Sequence, residues 1–209
     1  MRGINHLTPR YVWARTKEKI YQNSYPDHPW LTRNSVDLLA QLLKPTDIAL
    51  EFGSGRSTIW FARRVAHITS IEHHPDWHMQ VAGKLRASRL NNVDLILRRT
   101  NRSGAADSSR DYVEVAKGFA KSSLDFCLVD GEFRDECALA VLPKLKSGSV
   151  LAVDNASWFM PSPSVSPNSV PLGGTPYSPK WQEFLDKTQD WRRIWTYSGV
   201  TATVLYFKP

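Results

Sequence analysis

The most informative pattern in the chain is Glu51-Phe52-Gly53-Ser54-Gly55-Arg56-Ser57-Thr58. It follows a short apolar run over 47–52 that predicts a strand, and it leads into a run over 57–65 with helical spacing of apolar residues. Gly53 and Gly55 let backbone N–H groups approach a ligand closely, and the start of a helix favours a negative group. This order predicts the opening of a βαβ unit with a ligand at the turn. A tight turn without a ligand is the alternative.

Strand and helix patterns alternate on both sides of this turn. Further strands are predicted over 67–71, 93–97, 124–129 and 149–153, and further helices over 35–43, 76–88, 112–119, 133–145 and 181–188. Two β-rich runs, 191–197 and 201–207, flank Ser198-Gly199-Val200 and predict a terminal hairpin. The pattern predicts an α/β fold with a mostly parallel sheet, helices on both faces and an antiparallel edge.

Two segments show neither the helical nor the strand spacing of apolar residues. Residues 1–34 carry aromatic residues and prolines, and we interpret them as a lead-in that packs on a single domain over 35–209. Residues 156–179 contain six prolines and the pair Gly173-Gly174. A loop this long is uncommon inside a compact domain and is usually functional or disordered. We predict a lid over the substrate, with a disordered insertion as the alternative.

Composition narrows the class of protein. With 209 residues, 42% apolar and 22% charged, the chain is long enough for a core, which excludes collagen-like, coiled-coil and wholly disordered proteins. No apolar run reaches the length of a membrane span, and the first residues lack a secretory pattern, so we expect a cytoplasmic protein without a membrane partner. The net charge is +7, and the basic residues are densest over 84–102. This distribution fits a solvated basic face better than a nucleic-acid groove, which is the alternative.

Glu72 follows the second predicted strand, 21 residues after Glu51. A carboxylate at that place can accept hydrogen bonds from both hydroxyls of a ribose, so an adenosine-containing cofactor is expected. Nicotinamide dinucleotides usually require a third glycine where this chain has Thr58, and a dehydrogenase would need a second domain for its substrate. S-adenosylmethionine is the favoured cofactor, and a nicotinamide enzyme is the weaker alternative.

The pattern Glu51-x-Gly53-x-Gly55, Glu72, the strand end Val129-Asp130-Gly131 and the closing hairpin resemble the class I S-adenosylmethionine-dependent methyltransferases over roughly 36–208. The resemblance implies a Rossmann-like, doubly wound, seven-stranded sheet with an inserted antiparallel last strand. It also implies the glycine turn beside the methionine part of the cofactor, Glu72 on the ribose, and Asn101 or Arg102 near the adenine. The expected cofactor-binding residues are Glu51, Gly53, Ser54, Gly55, Ser57, Glu72, His73 and Asp130.

Oxygen-bearing side chains follow the fourth and fifth strands. Asp130, Asp154 and Asn155 are expected to converge and to be catalytic. This resembles the metal-dependent catechol and caffeoyl-coenzyme-A O-methyltransferases, which implies a Mg²⁺ ion held by these three residues. The glycine turn is two residues shorter than in those enzymes, and the stretch 131–134 differs from theirs. Direct contact of Asp130 with cofactor or substrate, with Asp154 and Asn155 shaping the pocket, is the alternative.

The residues predicted to bind the substrate that accepts the methyl group are Arg134 and Trp158. Arg134 follows Asp130 closely and could bind an anionic acceptor, or it could form an ion pair with Asp130 or Asp154. Trp158 lies on the predicted lid. We expect methyl transfer to a small molecule, at oxygen. An RNA methyltransferase and a non-catalytic S-adenosylmethionine-binding module remain open, and a homodimer is compatible with the sequence.

Overall fold

Seven strands form one sheet within residues 8–99 and 108–209, which the computed structural model describes. They are β1 (Ile48–Phe52), β2 (His67–Glu72), β3 (Val93–Leu97), β4 (Leu124–Val129), β5 (Leu145–Val153), β6 (Arg192–Tyr197) and β7 (Ala202–Phe207). Their order is β3-β2-β1-β4-β5-β7-β6. Strands β1 to β5 are parallel, and β7 lies antiparallel between β5 and β6. The predicted Rossmann-like, doubly wound sheet with a terminal antiparallel hairpin is confirmed.

The helices of the described chain follow the predicted alternation. They are α1 (Pro9–Ser24), α2 (Arg33–Leu42), α3 (Arg56–Ala62), α4 (Pro75–Ala87), α5 (Ser108–Glu114), α6 (Arg134–Val141) and α7 (Pro179–Lys187). The helix predicted over 133–145 ends early, at Val141, because Pro143 cannot continue the α-helical hydrogen bonds, and β5 begins already at Leu145. Among the described residues, every helix is too short or too polar to span a bilayer.

The sheet is buried on both faces, as β4 shows. Cys127 and Val129 belong to the cluster beneath α5, α6 and α7, whereas Phe126 and Leu128 belong to the cluster beneath α2 and α3. Neighbouring side chains of a strand point to opposite faces, so a nearly all-apolar strand is required at the centre of a sheet covered by helices. This packing holds the carboxyl ends of β1, β2, β4 and β5 in fixed positions.

Helix α1 was not predicted. Thr8 caps its first turn by accepting a hydrogen bond from the Tyr11 N–H, and Pro9 begins it. None of its residues is buried, and Trp13 is 61% exposed. A helix that buries no stripe of residues leaves no apolar period in the sequence, which is why the pattern indicated an irregular segment.

The segment 156–179 packs against the body of the domain. It starts with a 3-10 turn over Ala156–Trp158, and its Met160 is fully buried in the core. Phe159 stacks on Trp181 of α7, with ring centres 5.6 Å apart, whereas Tyr177 is exposed. Within this segment, the backbone bridge between Ser162 and Pro171 closes a loop. Its role as a lid stays a prediction.

Candidate functional site

The candidate site lies at the carboxyl ends of β1, β2 and β4, where the strand order reverses. A cavity of about 560 Å³ opens there, which we call the cofactor cavity. Its volume is in the range of small-molecule and cofactor sites, about 300–1,000 Å³. Seven of the eight predicted cofactor-binding residues line it: Gly53, Ser54, Gly55, Ser57, Glu72, His73 and Asp130.

The glycine turn is held against the end of β4. Gly53 has a φ of +95°, and a Cβ at this position would lie 2.8 Å from the backbone of Gly131. The Asp130 N–H donates to the Phe52 carbonyl at 2.9 Å, which ties the two strand ends together. Trp77 donates its indole N–H to the Ser54 carbonyl at 2.7 Å and fixes the outer side of the turn. Only glycine combines this conformation with this close approach.

Glu72 is buried at the end of β2, and its carboxylate is surrounded by donors. The backbone N–H groups of His73 and His74 each donate to Oε1 at 2.9 Å, and the Ser54 N–H and hydroxyl donate to Oε2 at 3.1 and 2.9 Å. Burial would raise the pKa of Glu72, but these hydrogen bonds and the His73 ring outweigh it, so its pKa is lowered and it stays charged. A ribose hydroxyl can take the place of the rotatable Ser54 hydroxyl.

Glu51 lies beneath the turn and does not line the cofactor cavity. It is fully buried, and its Oε2 accepts hydrogen bonds from the hydroxyls of Thr58 and Ser70, each at 2.5 Å. Burial raises the pKa of Glu51 to about 7, against the lowering effect of these hydroxyls and that of Ser57. The Thr58 hydroxyl also accepts from the Gly55 N–H at 3.0 Å, so the structure places Glu51 in support of the turn.

Arg134 joins the ends of β4 and β5. Its Nη2 donates to the carbonyl and to Oδ1 of Asp130, both at 2.8 Å, and its Nε donates to the Gly131 carbonyl at 2.9 Å. Its Nη1 donates to the Asp154 carbonyl at 2.6 Å and to Asn155 Oδ1 at 2.9 Å. Of the two interpretations of Arg134, the structure shows the ion pair with Asp130. This fork of hydrogen bonds fixes the guanidinium at the edge of the cofactor cavity.

Asp130 and Asp154 differ in exposure although they end neighbouring strands. The Asp130 side chain is 27% exposed and lines the cofactor cavity, and burial raises its pKa against the opposing effect of Arg134. Asp154 is buried, and its Oδ1 accepts a hydrogen bond from Thr203 of β7 at 2.6 Å. Burial, with Asp130 nearby, raises the pKa of Asp154 to about 7. Asp130, Arg134 and Asn155 come together at the cavity edge, with Asp154 beneath them.

The implied magnesium site does not fit these side chains. Oδ1 of Asp130 and Oδ1 of Asn155 both face the guanidinium of Arg134, and the Asn155 amide donates to Thr201 at 2.7 Å. The fixed positive charge of Arg134 therefore lies where the resemblance implied a divalent cation. Among the residues that the structure describes, no group of three histidine, cysteine or acidic side chains is arranged to hold a metal ion.

A second cavity of about 260 Å³ lies between α1 and the ends of β5 and β7. We call it the α1 cavity. Its lining residues are Arg15, Glu18, Gln22, Trp30, Asn155, Trp158, Val200 and Thr201. Trp30 also lines the cofactor cavity, and Asn155 contacts Arg134, which lines the cofactor cavity as well. The two cavities are therefore neighbours across Trp30 and the Arg134–Asn155 pair.

Several lining residues were not predicted. Trp30, Arg56, Trp77 and Lys84 line the cofactor cavity, and Arg56 stands over the Trp30 ring, 4.8 Å from its centre. Arg56 directly follows Gly55, so its place beside the turn could have been inferred from the motif. The residues of α1 had no such signal. Asn101 and Arg102, expected near the adenine, lie outside the described residues.

The sheet order, with its antiparallel last strand, is that of the class I S-adenosylmethionine-dependent methyltransferases. Residues 50–156 match the family model described as a methyltransferase domain, so the chain belongs to this methyltransferase family. The matched range includes the glycine turn, Glu72, Asp130 and Asn155. The sequence analysis predicted this class of enzyme and its cofactor, and both are confirmed.

Solved structures share the fold at low identity. A Streptococcus mutans protein assigned as a methyltransferase, solved in complex with S-adenosylhomocysteine, has a TM-score of 0.57 and 14% identity, over 84% of this chain and 96% of its own. A methyltransferase-like protein from Silicibacter pomeroyi has a TM-score of 0.57 and 21% identity, over 85% and 86%. A Staphylococcus aureus protein assigned as a caffeoyl-CoA O-methyltransferase has a TM-score of 0.59 and 16% identity, over 99% and 95%. No curated protein matches the sequence.

Proposed function

We propose that the enzyme transfers a methyl group from S-adenosylmethionine to a hydroxyl group of a small molecule. The observation that carries this proposal is the position of Asp130, Arg134 and Asn155 between the cofactor cavity and the smaller α1 cavity. When bound, S-adenosylmethionine supplies a methyl group on a positively charged sulfur, which keeps the electron pair of the broken bond. The chain has to bind both partners, align them and accept a proton.

Seven lining residues are proposed to hold the cofactor: Gly53, Ser54, Gly55, Ser57, Glu72, His73 and Asp130. Glu72 would accept a ribose hydroxyl in exchange for the Ser54 hydroxyl, since both are donors to the same carboxylate oxygen. Gly53 and Gly55 keep the floor of the cavity free of side chains. Glu51 would act as a positioning residue through Thr58, which binds the Gly55 N–H.

Asp130 is the proposed acceptor of the proton. The acceptor oxygen forms the new bond to carbon and gives up its proton to the Asp130 carboxylate. Burial raises the pKa of Asp130 and so makes it a stronger base than an exposed aspartate. Arg134 is a positioning residue that holds the carboxylate through Oδ1 and leaves Oδ2 for the proton. This arrangement needs no divalent cation.

The size of the α1 cavity favours a small acceptor over RNA. It measures about 260 Å³ and is bounded by two tryptophans and α1. Binding of RNA would add steeply salt-dependent phosphate contacts, so the two classes of acceptor are separable by experiment.

Calorimetric titration of S-adenosylhomocysteine tests the cofactor site. We expect a micromolar Kd for the wild-type protein and binding weakened about tenfold or more in Glu72→Gln, because a charged hydrogen-bond acceptor contributes about 1.5–3 kcal/mol. Glu18→Gln, in the α1 cavity, is the matched control and should bind as the wild type does. Failure of the wild-type protein to bind would overturn the proposal.

Transfer of a labelled methyl group tests the acceptor class. The enzyme is mixed with labelled S-adenosylmethionine and, separately, with small hydroxyl compounds, small amines and ribosomal RNA, with and without EDTA. We expect label in a hydroxyl compound, unchanged by EDTA, and lost in Asp130→Asn. Label only in amines or only in RNA would contradict the proposed acceptor, and loss of transfer in EDTA would contradict the role of Arg134.

A further inference from the structure

The α1 cavity has a composition unlike that of an apolar substrate pocket. Five of its eight lining residues are polar, and Val200 is the single aliphatic residue among them. Pockets for drug-sized ligands are mostly apolar with a few polar groups, and they are larger, about 300–1,000 Å³. A compact ligand that meets hydrogen-bonding groups on most of its surface suits this cavity better than a hydrocarbon ring.

The charges in the cavity balance each other. Arg15 donates to Glu18 Oε2 at 3.1 Å, and Ser198 donates to Glu18 Oε1 at 3.3 Å. The Glu18 side chain is only 11% exposed, so its charge is held inside the cavity wall and is paired there. An anionic ligand would face this carboxylate, and a cationic ligand would face Arg15. A neutral ligand avoids both penalties.

Two tryptophans form the remaining wall. The Trp158 Nε1 is buried, and within the described chain it has no hydrogen-bond partner. A buried indole N–H normally finds an acceptor, and a ligand oxygen would satisfy it once the indole turns toward the cavity. The flat rings of Trp30 and Trp158 suit the C–H face of a saturated ring, while Gln22 offers both donors and an acceptor to its hydroxyls.

We infer that the α1 cavity binds the methyl acceptor and that this acceptor is a neutral polyhydroxylated molecule about one sugar ring in size. The inference rests on the proposed function and adds the class of substrate to it. One hydroxyl would face Asp130, Arg134 and Asn155 at the boundary with the cofactor cavity, where Asp130 would take its proton. The others would meet Trp158 Nε1 and the polar side chains of α1.

Ligand-observed NMR tests the inference with the 209-residue protein saturated with S-adenosylhomocysteine. The probes are glucose, galactose, mannose, xylose and myo-inositol, with catechol as the aromatic comparison. We expect saturable binding of at least one polyol, weakened about fivefold in Trp158→Phe, because this change removes one hydrogen bond and keeps an aromatic ring. Trp13→Phe, on the exposed face of α1, is the matched control and should leave binding unchanged.

The outcomes separate the two proposals. If S-adenosylhomocysteine binds but no polyol does, or only catechol does, the class of acceptor is wrong and the methyltransferase proposal stands. If a polyol binds equally to the wild-type protein and to Trp158→Phe, the cavity is not its site. If S-adenosylhomocysteine itself does not bind, the proposed function fails first.

Discussion

Gly131 shows how closely the ends of β1 and β4 approach beneath the cofactor cavity. A Cβ at this position would lie 2.0 Å from the Tyr112 hydroxyl and 2.9 Å from the Gly53 nitrogen. Tyr112 is fully buried, so it cannot move into solvent. Lack of space, and not backbone conformation, therefore limits position 131 to glycine. The φ of Gly131 lies outside the left-handed region that favours glycine.

Substitution of this glycine tests the close approach. We expect Gly131→Ala to lower the free energy of unfolding by about 1–3 kcal/mol, the usual cost of forcing an extra methyl group into a packed core. Urea denaturation measures it. Gly118→Ala is the control, because a Cβ there meets no atom within 4 Å, and its effect should stay within about 0.5 kcal/mol. Equal stability of the two variants would show that the strand ends separate more easily than the structure indicates.

Among the individual residues of the site, those at or just after the ends of strands could be predicted from the sequence. Gly53 and Asp130 come directly after a strand, Glu72 is the last residue of β2, and Asn155 lies two residues after β5. The topology of a parallel sheet brings such positions together. Trp30 could not be predicted in the same way. It precedes the first βα unit, matches no motif, and reaches the cavity only through tertiary packing. The hydrogen-bond partners of Arg134 could not be predicted from the sequence either, because arginine serves both in ion pairs and in substrate binding.

Helices α1 and α7 differ in what they bury. Helix α7 buries Trp181 and Phe184 in the core, and this apolar spacing predicted it. Helix α1 buries no residue and depends on its cap and on polar contacts such as the Arg15–Glu18 pair. Sequence periodicity detects a helix through its buried stripe, so the first kind is predictable and the second is not.

The two N-caps should therefore differ in their effect on global stability. The Ser178 hydroxyl accepts from the Trp181 N–H at 3.3 Å and donates to Asp135 at 2.6 Å, so we expect Ser178→Ala to cost about 1–2 kcal/mol in urea denaturation. Thr8→Ala removes the corresponding cap of α1 and should cost less than about 0.5 kcal/mol, because α1 can fray without opening the core. Similar costs at both caps would mean that α1 unfolds together with the sheet.

Across the whole molecule, the C-terminal hairpin and α1 add a second cavity beside the one formed by the parallel sheet. Strand β7 supplies Thr203, which donates a hydrogen bond to the buried Asp154. The turn between β6 and β7 brings Ser198 against Glu18 of α1. The parallel strands and their glycine turn form the cofactor cavity, whereas the hairpin and α1 enclose the α1 cavity. The proposed cofactor and acceptor sites are thus built by different parts of the chain.

The buried acids give the folded protein a defined dependence on pH. The pKa of Glu51 is about 7 when folded, against 4.5 as its ordinary value. Between these values the folded state binds more protons than the unfolded state, so the Glu51 contribution lowers the free energy of unfolding as pH rises, and the loss is complete above pH 7. Asp154, also raised to about 7, acts in the same direction. His28, whose pKa burial lowers from its ordinary 6.5, acts in the opposite direction below that value.

A single substitution isolates the contribution of Glu51. In Glu51→Gln the amide oxygen can still accept from Thr58 and Ser70, but no charge has to form in the core. Its excess stability over the wild-type protein should be small at pH 5 and rise to ~3 kcal/mol at pH 8, since each pKa unit corresponds to ~1.4 kcal/mol. Urea denaturation at both pH values measures the difference in the free energy of unfolding. The other titrating groups contribute equally to both proteins, so their contributions cancel. Glu183→Gln, at an exposed position of α7, should show no such rise. Parallel stability curves for Glu51→Gln and the wild-type protein would show that Glu51 titrates near its ordinary value, with its charge stabilised beneath the glycine turn.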